Sequence, residues 1–239
     1  MVIKTVLITG ANRGIGLSLA GWYTEQGWNV IGAAGDPANA TKLKVLKPYK
    51  LVQLDVSDDT SITNAAKELD GVTIDLLINN AGVCESDMIE SVTREVFMRH
   101  FETNALGPFF VTRALLPNLK HAASANGSAR VAQITSLAGS IKVVGSGAIK
   151  EKVVTSNISY FTSKAALNMV NANLSLELKE HNIAVILLNP GFVATDMAKG
   201  VDARLQPDEC ASALGKIIDG VTLANTGKFY DVGGEELPW

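Results

Sequence analysis

Tyr160 and Lys164 stand four positions apart in Tyr160-Phe161-Thr162-Ser163-Lys164, so a helix carries both the phenol and the ammonium on one face. Such a pair also fits an ordinary helix, with the tyrosine packed and the lysine solvated. Its place in the chain argues for more. It follows a candidate strand ending Ile134-Thr135-Ser136, and far upstream lies Thr9-Gly10-Ala11-Asn12-Arg13-Gly14-Ile15-Gly16, a glycine turn between a strand and a helix. Gly10, Gly14 and Gly16 permit a tight turn and close approach of backbone to phosphate. Asn12, Arg13 and Ile15 sit between them at a helix amino end that favours an anion. The turn lacks the Gly-Lys-Ser/Thr of a Walker loop. A phosphate-binding turn ahead of a Tyr/Lys face points to a hydride-transfer centre.

The second candidate strand ends Val30-Ile31-Gly32-Ala33-Ala34-Gly35-Asp36, with Ala34 at its tip. A carboxylate at that tip would favour the ribose hydroxyls of NAD and repel the extra phosphate of NADP. Its replacement by Ala34, with Arg13 able to reach back from the glycine turn, predicts NADP, while Gly35 supplies no second basic group. Asp55, after the third strand, either accepts the adenine amino hydrogen or closes a local Asx turn. Asn79-Asn80-Ala81-Gly82 places a compact polar loop beside the dinucleotide, and a purely structural turn is the simpler role for both asparagines. Pro190-Gly191 predicts a sharp turn. Phe192 and Met197 either face a hydrophobic substrate or pack a lid, and Thr195 either contacts the cofactor or caps a turn. Cys84 borders these elements without a paired base, and His100, His121 and His181 read as structural or surface residues.

The elements that must position these groups alternate. Strands are expected at Val2–Thr9, Asn29–Ala33, Lys50–Leu54, Leu76–Asn79, Arg130–Thr135, Ala184–Leu188 and Lys228–Asp231. Helices are expected at Ile15–Gln26, Asn39–Leu46, Thr60–Leu69, Thr93–Leu119, Ser159–Glu180 and Pro207–Gly220. Continuous apolar strands imply burial on both faces, and so a doubly wound α/β Rossmann fold about a central, mainly parallel seven-stranded sheet. Pro108 interrupts the fourth helix: it lacks the amide that would bond the carbonyl of Asn104, leaving that carbonyl for water or simply bending a packed helix. Lys42-Leu43-Lys44-Val45-Leu46-Lys47 reads as a solvated lysine face beside a packed Leu/Val face.

The 239 residues, 47% of them apolar, suit one domain of 1–239 with a substantial core. A net charge of -3 gives no general attraction to nucleic acid or anionic membranes, and no run approaches a membrane span. Cys84 and Cys210 are too few for a disulfide framework, and no metal-ligand cluster is evident. A reducing, cytoplasmic setting is the expectation.

In this order, Thr9–Gly16, Asp55, Asn79–Gly82, Asn104, Ser136, Tyr160/Lys164 and Pro190-Gly191 resemble the short-chain dehydrogenase/reductase family over essentially the whole chain. Asn104-Ala105-Leu106-Gly107-Pro108-Phe109, Ser163–Asn168 and the ending Glu236-Leu237-Pro238-Trp239 look like its sniffer-like/C-factor carbonyl reductases. The resemblance implies NADPH-dependent reduction of a small or hydrophobic aldehyde, ketone or quinone. It implies that Tyr160 is the general acid, Ser136 orients the carbonyl, Lys164 contacts the nicotinamide ribose and lowers the phenol pKa, and the Asn104 backbone holds a relay water. A free tyrosine titrates near pH ~10, so a nearby cation brings proton exchange closer to neutrality. Asn80, Ala81, Gly82, Pro190, Gly191, Val193 and Thr195 would border the cofactor, Thr195 by bonding the nicotinamide amide. Alternatives are NADP-dependent alcohol oxidation at the same site and a catalytically weak NADP-binding regulatory protein. The resemblance further implies a homodimer through the helices around Asn104–Leu119 and Ser159–Glu180. One departure is the long connection from Ser136 to Tyr160, where Gly139 to Asn157, including Lys150, Glu151 and Lys152, is expected to form a surface loop beside the pocket.

Overall fold

The computed structural model describes residues 3–149, 157–198 and 205–239. Seven strands pair in parallel in the order β3-β2-β1-β4-β5-β6-β7. They are β1 (Thr5–Thr9), β2 (Asn29–Ala34), β3 (Lys50–Gln53), β4 (Leu76–Asn79), β5 (Ala129–Ile134), β6 (Ile183–Asn189) and β7 (Phe229–Asp231). Alternation along β1 shows why its central residues are apolar: Val6 and Ile8 enter one core layer with Leu19 and Leu214, and Leu7 enters the other with Leu77 and Leu119. Both faces are covered by helices, so the side chains between the terminal threonines are buried on either side. Each fully buried Leu, Ile or Val adds roughly 1.5–3 kcal/mol.

The sheet order reverses between β1 and β4, which opens a crevice at the carboxyl ends of these strands. Six helices, α1 (Gly14–Glu25), α2 (Thr41–Val45), α3 (Asp59–Glu68), α4 (Arg94–Phe101), α5 (Gly107–Ala114) and α6 (Leu116–Asn126), run in chain order up to β5, and the first three fall where helices were expected. Asp58 caps α3 by accepting from the amides of Thr60 and Ser61 at 2.7 and 3.2 Å. The α2 segment is shorter than expected, and of its apolar pair only Leu43 is buried, Val45 being exposed.

The helix expected over Thr93–Leu119 is three helices and a π-helical turn at Glu102–Leu106, with the last helix continuing to Asn126. The prolines explain the breaks. Pro108 and Pro117 lie in the first turns of α5 and α6, where a missing amide costs no internal hydrogen bond. Gly107 N donates to Glu102 O, the wider spacing that admits the extra residue ahead of Pro108.

After β5, Leu137–Gly139 forms a 3-10 turn and Ile141–Gly145 forms α7, so the described start of the expected surface loop is helical. Ser140 Oγ accepts from Val143 N at 3.2 Å and donates to Pro238 O at 2.7 Å, docking this segment on the Glu236–Trp239 ending. Lys150, Glu151 and Lys152 lie outside the described residues. The long α8 (Ile158–Glu177) follows, then β6, α9 (Pro207–Asp219) and β7. No helix among the described residues is long and apolar enough to cross a membrane, and no metal-binding group of His, Cys, Asp or Glu occurs among them.

Candidate active site

A cavity of about 510 Å³ occupies the β1/β4 crevice, and its two ends are built differently. At one end, the glycine turn leads into α1. Gly10 and Gly14 hold φ of 63° and 54°, a region open to glycine without strain. A Cβ on Gly16 would lie 2.4 Å from Gly10 O and 2.5 Å from Asn80 Nδ2, so only a hydrogen fits there. Arg13 takes the N-cap position without capping the helix, and the first turn holds no acidic residue. The first-turn amides and the positive end of the helix therefore face the cavity in the manner an anionic pyrophosphate needs. The chain fits a dinucleotide here.

Asn80 secures this arrangement across the switch point. Its Nδ2 donates to Thr9 O at 2.9 Å and Gly10 O at 3.3 Å, while Thr9 Oγ1 accepts from the amides of Asn80 and Ala81 at 2.9 and 3.0 Å. Asn79 points into the sheet's helix-covered face, where Nδ2 donates to Thr112 Oγ1 at 3.0 Å and Pro108 O at 3.3 Å. Both asparagines are structural ties.

At the tip of β2, Ala34 is buried and Gly35 lines the cavity with the exposed Arg13. Asp36 folds back on its own loop, accepting from Ala38 N, Asn39 N and Asn39 Nδ2 at 3.0, 3.3 and 2.6 Å. Those bonds from Asn39 hold its carboxyl below the usual range. The Asp36 carboxylate is thus engaged with its own loop, while Arg13 lines the cavity beside Gly35. Asp55 makes the Asx turn, with Oδ1 accepting from Ser57 N at 2.9 Å and Ser57 Oγ at 2.7 Å, and it lines the cavity as well.

The reacting end draws on three separated segments. Ser136 follows β5 and caps the 3-10 turn, accepting from Ala138 N at 3.1 Å, and its side chain acts on the Tyr160 phenol in the direction that lowers its pKa. Lys164 is 5% exposed, donates to Ile134 O at 2.9 Å, and sits 5.8 Å from the centre of the Tyr160 ring. Burial pushes the phenol well above its ordinary pKa, the Cys84 thiol adds to this, and the Ser136 hydrogen bond opposes it. No lowering by Lys164 enters this balance, which burial dominates. Burial brings Lys164 itself down to about 8.

Asn104 lies in the π-helical turn, fully buried. Its Oδ1 accepts from Val83 N at 2.8 Å, and its Nδ2 donates to Val83 O at 2.9 Å and Ser163 Oγ at 3.0 Å. The side chain clamps the loop after β4 to α8, an arrangement the motif alone did not reveal.

Of the residues singled out in the sequence, Gly10, Asn12, Arg13, Gly14, Ile15, Asp55, Asn80, Ala81, Gly82, Tyr160, Lys164, Pro190 and Thr195 line the cavity. Gly16, Asn104, Ser136, Gly191 and Val193 are not part of that lining. Val193 belongs to the core, and Gly191 makes its turn with φ 73°. Met197 lines the cavity and Phe192 does not; of the Ala198–Gln206 segment, 199–204 lie outside the described residues. Sequence reading missed Asn189, whose Oδ1 accepts from Leu137 N at 3.0 Å and which carries no local signal. His100, read as structural or surface, is buried, and its ring meets that of Tyr160 edge-on at 6.4 Å. Cys84 also lines the cavity, with burial raising its thiol to about 11.

Comparison with known proteins agrees with this geometry. The profile of the short chain dehydrogenase family matches residues 4–206. A short chain dehydrogenase of Penicillium aethiopicum is 36% identical, covering 98% of this chain and 99% of its own. Among solved structures, an NADPH-bound carbonyl reductase from chicken fatty liver superposes with TM-score 0.89 at 31% identity, over all of both chains. The carbonyl reductase Sniffer of D. melanogaster gives the same TM-score at 27% identity, again over both full chains.

Proposed function

The chain belongs to the short chain dehydrogenase family, and from that premise we propose that it reduces a small or hydrophobic aldehyde, ketone or quinone with NADPH, as one domain of 1–239. The observation that carries this reading is one cavity with a phosphate-type glycine turn at one end and the Tyr160 phenol beside Lys164 at the other. Similarity to an NADPH-bound carbonyl reductase supports the cofactor and the substrate class. NADPH, when bound, supplies hydride to the carbonyl carbon.

The chain's own groups do the rest. The glycine turn and the start of α1 hold the pyrophosphate, Arg13 faces the extra ribose phosphate, and Asp55 offers its carboxylate to the adenine amino group. Pro190, Gly191 and Val193 shape the turn that brings Thr195 to the cavity, where its hydroxyl bonds the nicotinamide amide. Ser136 donates a hydrogen bond that orients the substrate carbonyl. Tyr160 then gives its proton to the oxygen as negative charge develops there. A raised phenol pKa keeps that proton in place at neutral pH, so Tyr160 enters the reaction in its acid form. Lys164 holds the nicotinamide ribose, and its charge works against the burial of a phenolate. The Asn104 carbonyl, in the π-helical turn, holds a water that returns the proton.

The exposed Met169 and Leu176 lie seven residues apart on one face of α8, and Met98 and Leu106 are exposed on the neighbouring helical segment. This apolar face supports a homodimer through these helices. Incubation with NADPH and a panel of aldehydes, ketones and quinones tests the activity: substrate-dependent loss of NADPH absorbance is expected. Tight NADPH binding without turnover across the panel would instead identify a regulatory binding protein.

A further inference from the structure

The residue immediately before Tyr160 is fully buried and hydrogen-bonded on every side. Ser159 opens α8, whose N-cap residue, Asn157, gives no side-chain cap to the first-turn amides. The cap comes instead from Asp87, in the loop after β4. Its Oδ2 and Oδ1 lie 3.2 and 3.4 Å from Ser159 N, and Oδ2 also accepts from the Ser159 hydroxyl. A one-residue parallel bridge between Asp87 and Asn157 holds the two segments together. A carboxylate is well placed here against the positive end of a helix.

His100 completes the set. Its Nε2 accepts from Glu85 N at 3.0 Å, which puts the ring proton on Nδ1. Nδ1 lies 2.9 Å from Val96 O and 3.0 Å from Ser159 Oγ, so the neutral ring donates to both. The Ser159 hydroxyl therefore accepts from His100 and donates to Asp87. That polarity is the reverse of an activated serine, whose proton must pass to the histidine, and with Ser159 and His100 both 0% exposed no substrate reaches them. The set is not a hydrolytic triad. Its position suggests another use: the His100 ring packs edge-on against Tyr160, and Glu85, bonded to that ring, lines the cavity.

We propose that Ser159, held between Asp87 and His100, is a positioning residue that sets where the Tyr160 phenol stands relative to Ser136 and the substrate. The proposal rests on reading Tyr160 as the proton donor. The hydrogen bonds join the amino end of α8 to the cavity wall at Glu85 and to α4 through Val96, so the Tyr160 backbone and ring are constrained from two sides.

Ser159→Ala leaves the backbone cap but removes both hydroxyl bonds; Asp87→Ala removes the cap. Each folded variant is expected to lose about tenfold in kcat on an active carbonyl substrate, since small misplacements of reacting groups are costly. KM and NADPH affinity should stay within about twofold, Asp87→Asn should recover most of the loss, and Ser159→Ala should cost nothing further in a Tyr160→Phe background. Either single-alanine variant suffices if the other does not fold. Unchanged kcat, a parallel fall in NADPH affinity, no recovery with Asn, or an undiminished Ser159 effect without the phenol would each overturn the proposal. Near-normal turnover by Tyr160→Phe itself would instead sink the proton-donor reading, which distinguishes the two failures.

Discussion

The two ends of the cavity solve the same problem, holding polar groups against a ligand, with opposite materials. The phosphate end is backbone: amides at the start of α1, two glycines at positive φ and a third with no room for a methyl. The reacting end is side chains, the Ser136, Tyr160 and Lys164 groups brought together from β5 and α8 and braced by Asn104 and His100. A backbone site depends on a short stretch of chain and fails sterically. A side-chain site depends on distant packing and fails chemically, with the fold intact.

Substitutions should separate the two modes. The largest expected effect is at the reacting end: Tyr160→Phe keeps the ring packing and removes the proton, so turnover should fall by roughly 10²–10⁴-fold. NADPH affinity, measured alongside by fluorescence titration, should be nearly unchanged; a matched loss of both would erase the contrast.

Gly16→Ala is the counterpart at the phosphate end. The added methyl meets Gly10 O and Asn80 Nδ2 at distances real atoms do not adopt, so the turn or the Asn80 tie must shift. Overpacking of this kind costs about 1–3 kcal/mol. Lower urea midpoint and weaker NADPH binding should appear together, and an unaltered affinity would show that the turn is more pliant than its contacts indicate.

Arg13→Ala tests charge at the same end without steric damage. Because Arg13 is exposed and screened by solvent, we expect a loss of NADPH efficiency on the order of tenfold, with NADH efficiency little changed. Equal losses with both cofactors would remove Arg13 from the choice between them.

The smallest effect concerns Lys164. Its pKa falls from 10.5 to about 8 on folding, so above pH 8 the unfolded chain holds a proton that the folded chain releases. Stability should therefore gain a rising contribution as pH climbs from about 8 towards 9, and below 8 the cost of burying the charge is constant. Urea midpoints of the wild type and Lys164→Met at pH 7 and pH 9 should show the wild type gaining relative to the variant. Parallel midpoints would mean that Lys164 is better solvated than its burial implies.

Much of this was legible in the chain. The strands fell near their observed places because their apolar runs are continuous, and the glycine turn was readable because strand, turn and helix are contiguous. The single helix expected over Thr93–Leu119 was not, since the π-helical turn at Glu102–Leu106 holds Asn104 against Val83 and against Ser163 of α8, partners remote in sequence. The Lys42–Lys47 segment likewise buries Leu43 and packs Leu46 in part but leaves Val45 exposed, a matter of how far α2 extends.

By itself the sequence determined the order of elements, the anion-binding turn and the shared face of Tyr160 and Lys164, all of which follow from local periodicity and backbone freedom. The tertiary structure alone decided that Asp36 turns onto its own loop, that Asn104 clamps Val83, and that Asp87 caps a helix 72 residues away. It also decided the balance of proton affinities at Tyr160 and Lys164. Those outcomes depend on burial and on partners remote in sequence, and desolvation is a property of the packed site that no stretch of residues carries alone.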